Sequence, residues 1–173
     1  MDSSKLAALI RDVPDFPKPG IVFKDITTLI ADADGFAATV DALVARYRDR
    51  QVDKVLAIES RGFIFGGAMA RGLGCGMQIV RKPGKLPWKT KRVSYALEYG
   101  TDTLEIHEDA IRPGDRVVIV DDLLATGGTM GAVAGLVDAL GGAVVECAFV
   151  VELAFLKGRE KLGKWPCFSL LQF

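Results

Sequence analysis

The sequence is short of the residues from which metal centres and disulfide frameworks are made. It holds one histidine, His107, so a histidine-based metal cluster is excluded. Its three cysteines, Cys75, Cys147 and Cys167, are odd in number, far apart and without a CxxC pair, and read as buried thiols in a reducing compartment. An excess of one charge is missing too: 22 lysines and arginines balance 22 aspartates and glutamates, which argues against a generic nucleic-acid binder while leaving room for local basic patches. No apolar run approaches the ~20 residues of a membrane span. The opening MDSSKLAALIRDV carries charges every few residues and lacks the apolar centre of a signal peptide. Repeats, linkers and low-complexity tracts are absent. The expectation is a cytoplasmic protein with no membrane or nucleic-acid partner.

What is present suits one packed domain: 173 residues, half of them apolar. Ser3 or Ser4 caps a predicted helix that runs through Arg11, with Leu6, Leu9 and Ile10 on one face. The segment VPDFPKPGIVFKDIT follows; its prolines and glycine predict an irregular loop, long enough to be functional. Helical spacing of Phe36, Val40, Leu43, Val44 and Tyr47 predicts a helix over 36–50. Buried strands are predicted over 53–60, 77–82, 116–122, 143–153 and 167–173, and helices over 63–74 and 127–140. The stretches VSYALEYG and TDTLEIHE alternate in the strand manner around Gly100 and Thr101, which predicts a hairpin. Between strand and hairpin lies PGKLPWKTKR, a basic loop over 83–92. Strands alternating with helices imply an α/β domain with a mostly parallel sheet covered on both sides.

The chemistry concentrates in VVIVDDLLATGGT, residues 117–129, where a buried strand runs into two acids and then into a loop of small residues. Ligands of open parallel sheets bind beyond the carboxyl ends of the strands. There Gly127 and Gly128 let backbone N–H groups converge on an anion, the following helix adds its positive end, and Thr126 and Thr129 offer hydroxyls. The GK[ST] ending of the nucleotide-triphosphatase loop is missing, and glycines at 127, 128 and 131 do not match GxGxxG. Asp121 and Asp122 would repel a phosphate at contact, so they call for hydrogen-bond donors or cations, each charge-assisted bond contributing roughly 1.5 to 3 kcal/mol. Vicinal sugar hydroxyls and a divalent metal both qualify. Acids for hydroxyls followed by a cradle for phosphate describe a ribose 5-phosphate. A plain strand–turn–helix junction with the acids as caps and a receiver-type phosphoacceptor site are the two alternatives.

These residues resemble the type I phosphoribosyltransferases, whose signature for phosphoribosyl pyrophosphate (PRPP) matches VVIVDDLLATGGT; FPKPGIVFKDIT, ESRGFIFG, RKPGKLP, YALEYGTDTLEIH and VELAFLKGREKL extend the resemblance over nearly the whole chain, toward the adenine-specific members. The resemblance implies a single domain over 1–173, with an N-terminal hood over 1–35, a mobile lid loop and β-hairpin over 82–107 and a PRPP loop over 117–129. It implies transfer of ribose 5-phosphate from PRPP to adenine with Mg2+, giving AMP and pyrophosphate, in a homodimer. Asp121 and Asp122 would hold the ribose or metal, and Ala125, Thr126, Gly127, Gly128 and Thr129 the 5-phosphate. Ser60, Arg61, Arg81, Lys82 and Lys85 would bind pyrophosphate, some of them across the dimer interface, with Arg61 also catalytic and the Glu59–Ser60 peptide cis. Mg2+ would be held mainly through PRPP, without a dedicated protein cage. Val22, Phe23, Lys24 and Leu153 would bind adenine, Phe23 by stacking and Val22 and Lys24 through their backbones; Leu156 is a further base-side residue. Glu98 would act as general acid or base on the lid, next to Tyr99.

Each implied role has a plainer counterpart in the residues themselves. The basic run also reads as a solvated loop, Glu98 as a solvated hairpin residue, and Phe23, Leu153 and Leu156 as core. Alternation in VSYALEY puts Ser94, Ala96 and Glu98 on one face, whose small residues leave room for a ligand, and Val93, Tyr95, Leu97 and Tyr99 on the other. WKTKR, with Trp88, departs from the family pattern. His107 reads as a surface strand residue, and Trp165 and the cysteines as structural. A transferase for another purine, and a PRPP-sensing regulator without chemistry, remain the alternative functions.

Overall fold

A computed structural model describes residues 1–16, 18–96 and 101–173, with the side chain of Ala96 left aside. The predicted α/β architecture is observed. Its centre is a five-stranded sheet in the order β4–β3–β7–β8–β9, built from Lys54–Ile58 (β3), Gly76–Val80 (β4), Arg116–Leu124 (β7), Ala143–Glu152 (β8) and Cys167–Gln172 (β9). All four pairings are parallel. Such strands are buried on both faces, which is why Val55–Ile58, Val117–Val120 and Cys147–Val151 read as unbroken apolar runs rather than alternating ones.

Two clusters of apolar side chains fill the two sides. One lies under α1 (Ser3–Ala8), α3 (Ala33–Tyr47) and α4 (Gly62–Leu73), with Leu43, Phe65 and Met69 against Val118, Val120 and Val150. The other lies under α5 (Gly128–Ala139), with Val133 and Val137 against Ile119, Cys147 and Phe149. The hairpin of β5 (Thr90–Ala96) and β6 (Thr101–His107) packs on this second cluster through Leu104 and Ile106.

Several boundaries differ from the sequence-based expectation, each for a local reason. Asp2, not Ser3 or Ser4, caps α1: its carboxylate accepts from the Lys5 N–H at 2.9 Å and from the Ser4 hydroxyl at 2.7 Å, and the helix ends at Ala8 rather than Arg11. The helix expected over 36–50 begins at Ala33 because Asp32 accepts the Gly35 N–H at 2.7 Å. The proline-rich segment is not irregular throughout. Arg11–Pro14 (β1) and Val22–Asp25 (β2) form an antiparallel ribbon in which Val13 faces Phe23. Pro14 is tolerated as the last residue of a strand in a two-stranded ribbon, where no ladder bond from its nitrogen is required. Three short elements, α2 (Thr27–Ala31), a 3-10 turn over Ala154–Leu156 and α6 (Gly158–Leu162), went unread because none is long enough to show a helical period.

Among the described residues, no helix is long and apolar enough to cross a membrane. The three cysteines are free thiols, of which only Cys147 is buried, Cys75 and Cys167 being half-buried rather than buried as expected; burial pushes the Cys147 thiol up to about 12. Trp165 packs against the α5-side cluster. His107 ends β6 half-buried, under the edge of the exposed Trp88 ring at 6.3 Å.

Candidate active site

The carboxyl ends of β3 and β7 are where the sheet becomes polar. At β7 the run Val117–Val120 gives way to Asp121 and Asp122, while β3 ends at Ile58 and hands on to Glu59, Ser60 and Arg61. The Glu59–Ser60 peptide is cis. Arg61 then donates from Nε to Asp122 Oδ2 at 2.5 Å, which ties the two strand ends together. Asp121 Oδ1 accepts the backbone N–H of Asp122 at 2.9 Å. Burial, and then the neighbouring Asp122 charge, push the Asp121 carboxyl well above the usual carboxylate range. A desolvated acid beside a second acid is poised for an incoming cation or hydroxyl donor, either of which would favour its ionised form.

The loop after Asp122 leads into α5 through Gly127, whose φ of 80° lies in the left-handed region. A side chain there would also overlap the backbone carbonyl of Gly158, so the loop and the start of α6 are in backbone contact. No side chain caps the N-terminus of α5, and none caps that of α4, which starts just after Arg61; the N-terminus of α3, by contrast, is closed by Asp32. Of the two helices that begin at the polar strand ends, α4 turns its Phe63 and Ile64 N–H groups onto the Ser60 and Arg61 carbonyls, both at 3.2 Å, whereas the first turn of α5 follows a left-handed glycine without a capping side chain. That is the arrangement of an anion site. A recess of about 80 Å³ sits in this loop, lined by Ala125, Thr126, Gly127, Gly128 and Thr129 together with Asp121.

Next to it opens a cavity of about 310 Å³ lined by Ser60, Arg61, Lys82, Asp121, Asp122 and Thr129, with Tyr95, Asp102 and Leu104 supplied by the hairpin. These three hairpin residues are absent from the sequence-based set. The face of β5 turned to the cavity is that of Tyr95, not that of Ser94: Val93 and Tyr95 pack toward the core, and the exposed Ser94 hydroxyl pairs with Thr103 at 2.9 Å. The expected orientation is thus reversed over the described part of the strand, because burying an aromatic ring outweighs leaving space. Glu98 and Tyr99 lie outside the described residues.

The basic residues divide into two kinds. Arg81 is held by Glu59 through a bidentate pair at 3.1 and 3.2 Å, and Glu59 also accepts the Lys82 N–H at 2.9 Å. Those bonds, led by Arg81, hold the Glu59 carboxyl below its usual range. Lys82 and Lys85 are exposed, Lys82 standing 3.8 Å from Asp102. Arg81 thus braces the loop while the two lysines reach solvent.

A third cleft, again about 310 Å³, runs from the phosphate-type loop to the β1–β2 ribbon and is lined by Ile21, Val22, Ala125, Thr126, Leu153 and Leu156, with the exposed Phe155 at its edge. Val22 and Leu153, expected together, are together here. Phe23, next along β2, points the other way and lines an adjoining recess with Val13 and Phe16, its ring 5.3 Å from that of Phe16. Lys24 lies over the Phe173 ring at 4.2 Å and pairs with Asp12 at 2.6 Å. A larger cavity, about 450 Å³ beside Arg50 and Arg116, is at the opposite end of the strands and receives none of these residues.

Among the described residues no three histidine, cysteine, aspartate or glutamate side chains gather as a metal cage. The donor set fits a cation that brings its own oxygens: two adjacent carboxylates, one paired with arginine and one desolvated, at the edge of an anion site.

A parallel sheet carrying two acids and an uncapped helix at one strand end can take an anion beside a hydroxyl donor or cation, and comparison with known proteins gives the chain a family. The phosphoribosyl transferase domain matches residues 27–170. The adenine phosphoribosyltransferase of Syntrophotalea carbinolica is 61% identical over 168 residues, 97% of this chain and 98% of that one. Among solved structures, adenine phosphoribosyltransferase from Thermoanaerobacter pseudethanolicus superposes with a TM-score of 0.96 at 51% identity, covering 99% of both chains. The enzyme from Saccharomyces cerevisiae, solved with an imino-altritol bisphosphate and adenine, superposes with a TM-score of 0.92 at 40% identity over 98% of both. The chain belongs to the phosphoribosyltransferase family and, within it, to the adenine phosphoribosyltransferases.

Proposed function

We propose that the protein transfers the 5-phosphoribosyl group of PRPP to adenine, forming AMP and releasing pyrophosphate. The observation that carries this reading is the junction of β7 with α5: adjacent Asp121 and Asp122, then a glycine-hinged loop at a helix N-terminus without a capping side chain, with an apolar cleft on its far side. A sugar phosphate bound with its phosphate in the loop has its ring hydroxyls over the two acids. Its anomeric carbon then lies between the Arg61–Lys82 cavity and the Val22–Leu153 cleft.

In the reaction the bond from the anomeric carbon to the pyrophosphate oxygen breaks, and a bond from that carbon to an imidazole-ring nitrogen of adenine forms. Positive charge grows on the sugar and negative charge on the leaving group. Arg61, Lys82 and Lys85, beside Ser60, answer the negative charge. Asp121 and Asp122 would neighbour a magnesium ion held chiefly by PRPP, which would supply further charge neutralisation. The ring proton displaced from adenine needs an acceptor, and the family resemblance assigns this to Glu98; Glu98→Gln is expected to lower kcat by roughly 100- to 10,000-fold.

Base choice rests on the hood. Among the described residues β2 belongs to a two-stranded ribbon, so one set of its alternating N–H and C=O groups has no strand partner there, and Val22 and Lys24, two residues apart, share one set. A carbonyl in that set accepts from the adenine amino group and repels the oxo group of hypoxanthine or guanine, a mismatch that discriminates by as much as ~10,000-fold. Phe23 reaches a stacking position only if its ring turns from Phe16. The test is product formation from PRPP and Mg2+ with adenine, hypoxanthine, guanine and xanthine in parallel. AMP formation with adenine alone is the expected result; turnover with an oxo-purine alone would overturn the base assignment, and PRPP binding without turnover would make the protein a sensor. The cytoplasm and a homodimer complete the reading, the dimer being checked by sedimentation.

A further inference from the structure

Two glutamates of β8, one near each end, are held by arginines, Glu146 having Arg50 at 3.4 Å as a second partner. Near the amino end, Arg46 of α3 donates to Glu146 from Nε at 2.5 Å and Nη2 at 2.9 Å, and the Tyr47 hydroxyl adds a bond at 2.9 Å. At the carboxyl end, Arg159 of α6 donates to Glu152 from Nε at 2.7 Å and Nη2 at 2.6 Å. Both glutamates are buried. The first pair joins a helix to the sheet far from the strand ends that carry the site. The second closes a loop that belongs to two parts of the site at once.

Glu152 is followed directly by Leu153, and Arg159 is preceded directly by Gly158. Between them the 3-10 turn Ala154–Leu156 forms one wall of the base cleft, with Leu153, Phe155 and Leu156 lining it. Gly158 backs the phosphate loop: a side chain on it would overlap the Ala125 carbonyl, just as one on Gly127 would overlap the carbonyl of Gly158. The loop is further tied by the Leu153 N–H to the Leu124 carbonyl and the Ala154 N–H to the Phe173 carbonyl, both at 2.9 Å. Lys157, at φ 52°, makes the turn into α6 in the left-handed region, a conformation that persists only where its surroundings impose it. The rest of the Arg159 guanidinium is engaged as well, with Nη1 on the Cys167 carbonyl at 2.8 Å and Nη2 on the Ser169 hydroxyl at 3.2 Å. Gln172 fills out the glutamate at 3.2 Å.

We infer that Arg159 is a positioning residue: by fixing both ends of the 152–159 loop across β8 and β9, it sets the spacing between base cleft and phosphate cradle so that one nucleotide fills both. This deepens the function proposed above and rests on it. Neither half of the ligand needs the clasp alone; only a molecule that spans them does. A lysine keeps the charge but not the planar fork that reaches Glu152, Cys167 and Ser169 together.

Calorimetric titration of the full-length protein with AMP, with ribose 5-phosphate and with adenine tests this, on wild type, Arg159→Gln, Arg159→Lys and Arg46→Gln. Arg159→Gln and Arg159→Lys are expected to weaken AMP binding roughly 10- to 100-fold while changing ribose 5-phosphate and adenine by about threefold or less. Arg46→Gln, which removes a like pair at the remote end, lowers the melting temperature but leaves AMP affinity within about twofold. Unchanged AMP affinity in both Arg159 variants overturns the inference and leaves the function standing. So does a ribose 5-phosphate loss as large as the AMP loss, which would mean that Arg159 supports only the phosphate loop. A wild-type protein that binds ribose 5-phosphate but not AMP overturns the inference together with the function. Should Arg159→Gln fail to fold, Arg159→Lys carries the comparison.

Discussion

The loop from Asp121 to Thr129 presents its ligand with backbone, whereas the cleft beside it presents side chains gathered from separate stretches of chain. In the loop, one strand end, one left-handed glycine and one helix N-terminus place N–H groups and hydroxyls within nine consecutive residues. In the cleft, Val22 arrives from the ribbon, Ala125 from the loop and Leu153 from the end of β8. A backbone cradle is specific for phosphate, common to every substrate of this class. A cleft made of side chains and one strand edge can be changed residue by residue to suit one base. The difference teaches where tolerance lies: Gly127 in the loop admits no side chain without displacing Gly158, and the cleft admits graded changes.

The sharpest way to break the comparison is at Gly127. Gly127→Val adds atoms where the Gly158 carbonyl lies and does so at a positive φ, at a cost of about 1–3 kcal/mol for the backbone conformation before the overlap is counted. Turnover is expected to fall by about 1,000-fold or more, with PRPP binding lost, in a steady-state assay that varies PRPP. Asp122→Asn comes next, because it removes a charge that holds Arg61 at 2.5 Å and that is proposed to face the sugar. Its kcat/KM for PRPP is expected to drop roughly 100-fold, with the KM for adenine little changed. Leu153→Ala acts on the cleft alone and is expected to raise the KM for adenine about 10-fold, as the loss of ~1.4 kcal/mol of apolar contact would, leaving that for PRPP unaltered.

The smallest effects lie in pH. The Asp121 carboxyl titrates above the usual carboxylate range, so PRPP binding in the presence of Mg2+ strengthens as pH rises through that raised range; a pH profile of Asp121→Asn should lose this limb. Because the folded protein holds that proton more tightly than the unfolded chain, Asp121 makes the unliganded protein less stable as pH rises through the same range. Glu152 has the opposite sign. Arg159 holds its carboxyl below the ordinary glutamate value, so its contribution is complete above that value and is lost as pH falls through the lowered one. Thermal melts of Glu152→Gln taken from the ordinary glutamate value downward in pH should show a shallower decline on acidification than wild type.

Legibility followed the same division. The buried parallel strands announce themselves as runs of valine and isoleucine, and the phosphate-type loop as two acids followed by threonines and glycines, because both depend on short-range order along the chain. The ribbon over Arg11–Asp25 was hidden by its prolines, whose tolerance depends on being at a strand end. The face that the hairpin turns to the site was misread, since the core under Leu104 and Ile106, distant in sequence, decides it. The pairing of Arg81 with Glu59 and the backing of Gly127 by Gly158 are contacts between remote segments, which no local spacing encodes. Tyr95 and Asp102 entered the cavity lining for the same reason.

The central claim is that one ligand lies with its phosphate on the backbone of the loop and its base in the cleft. A crystal structure of the protein with bound AMP tests it most directly. The account predicts phosphate oxygens within hydrogen-bond distance of the N–H groups of residues 126–129, ribose hydroxyls on Asp121 and Asp122, and the purine between Val22 and Leu153. A phosphate bound instead by Lys82 and Lys85, with the loop N–H groups turned to solvent, would contradict it.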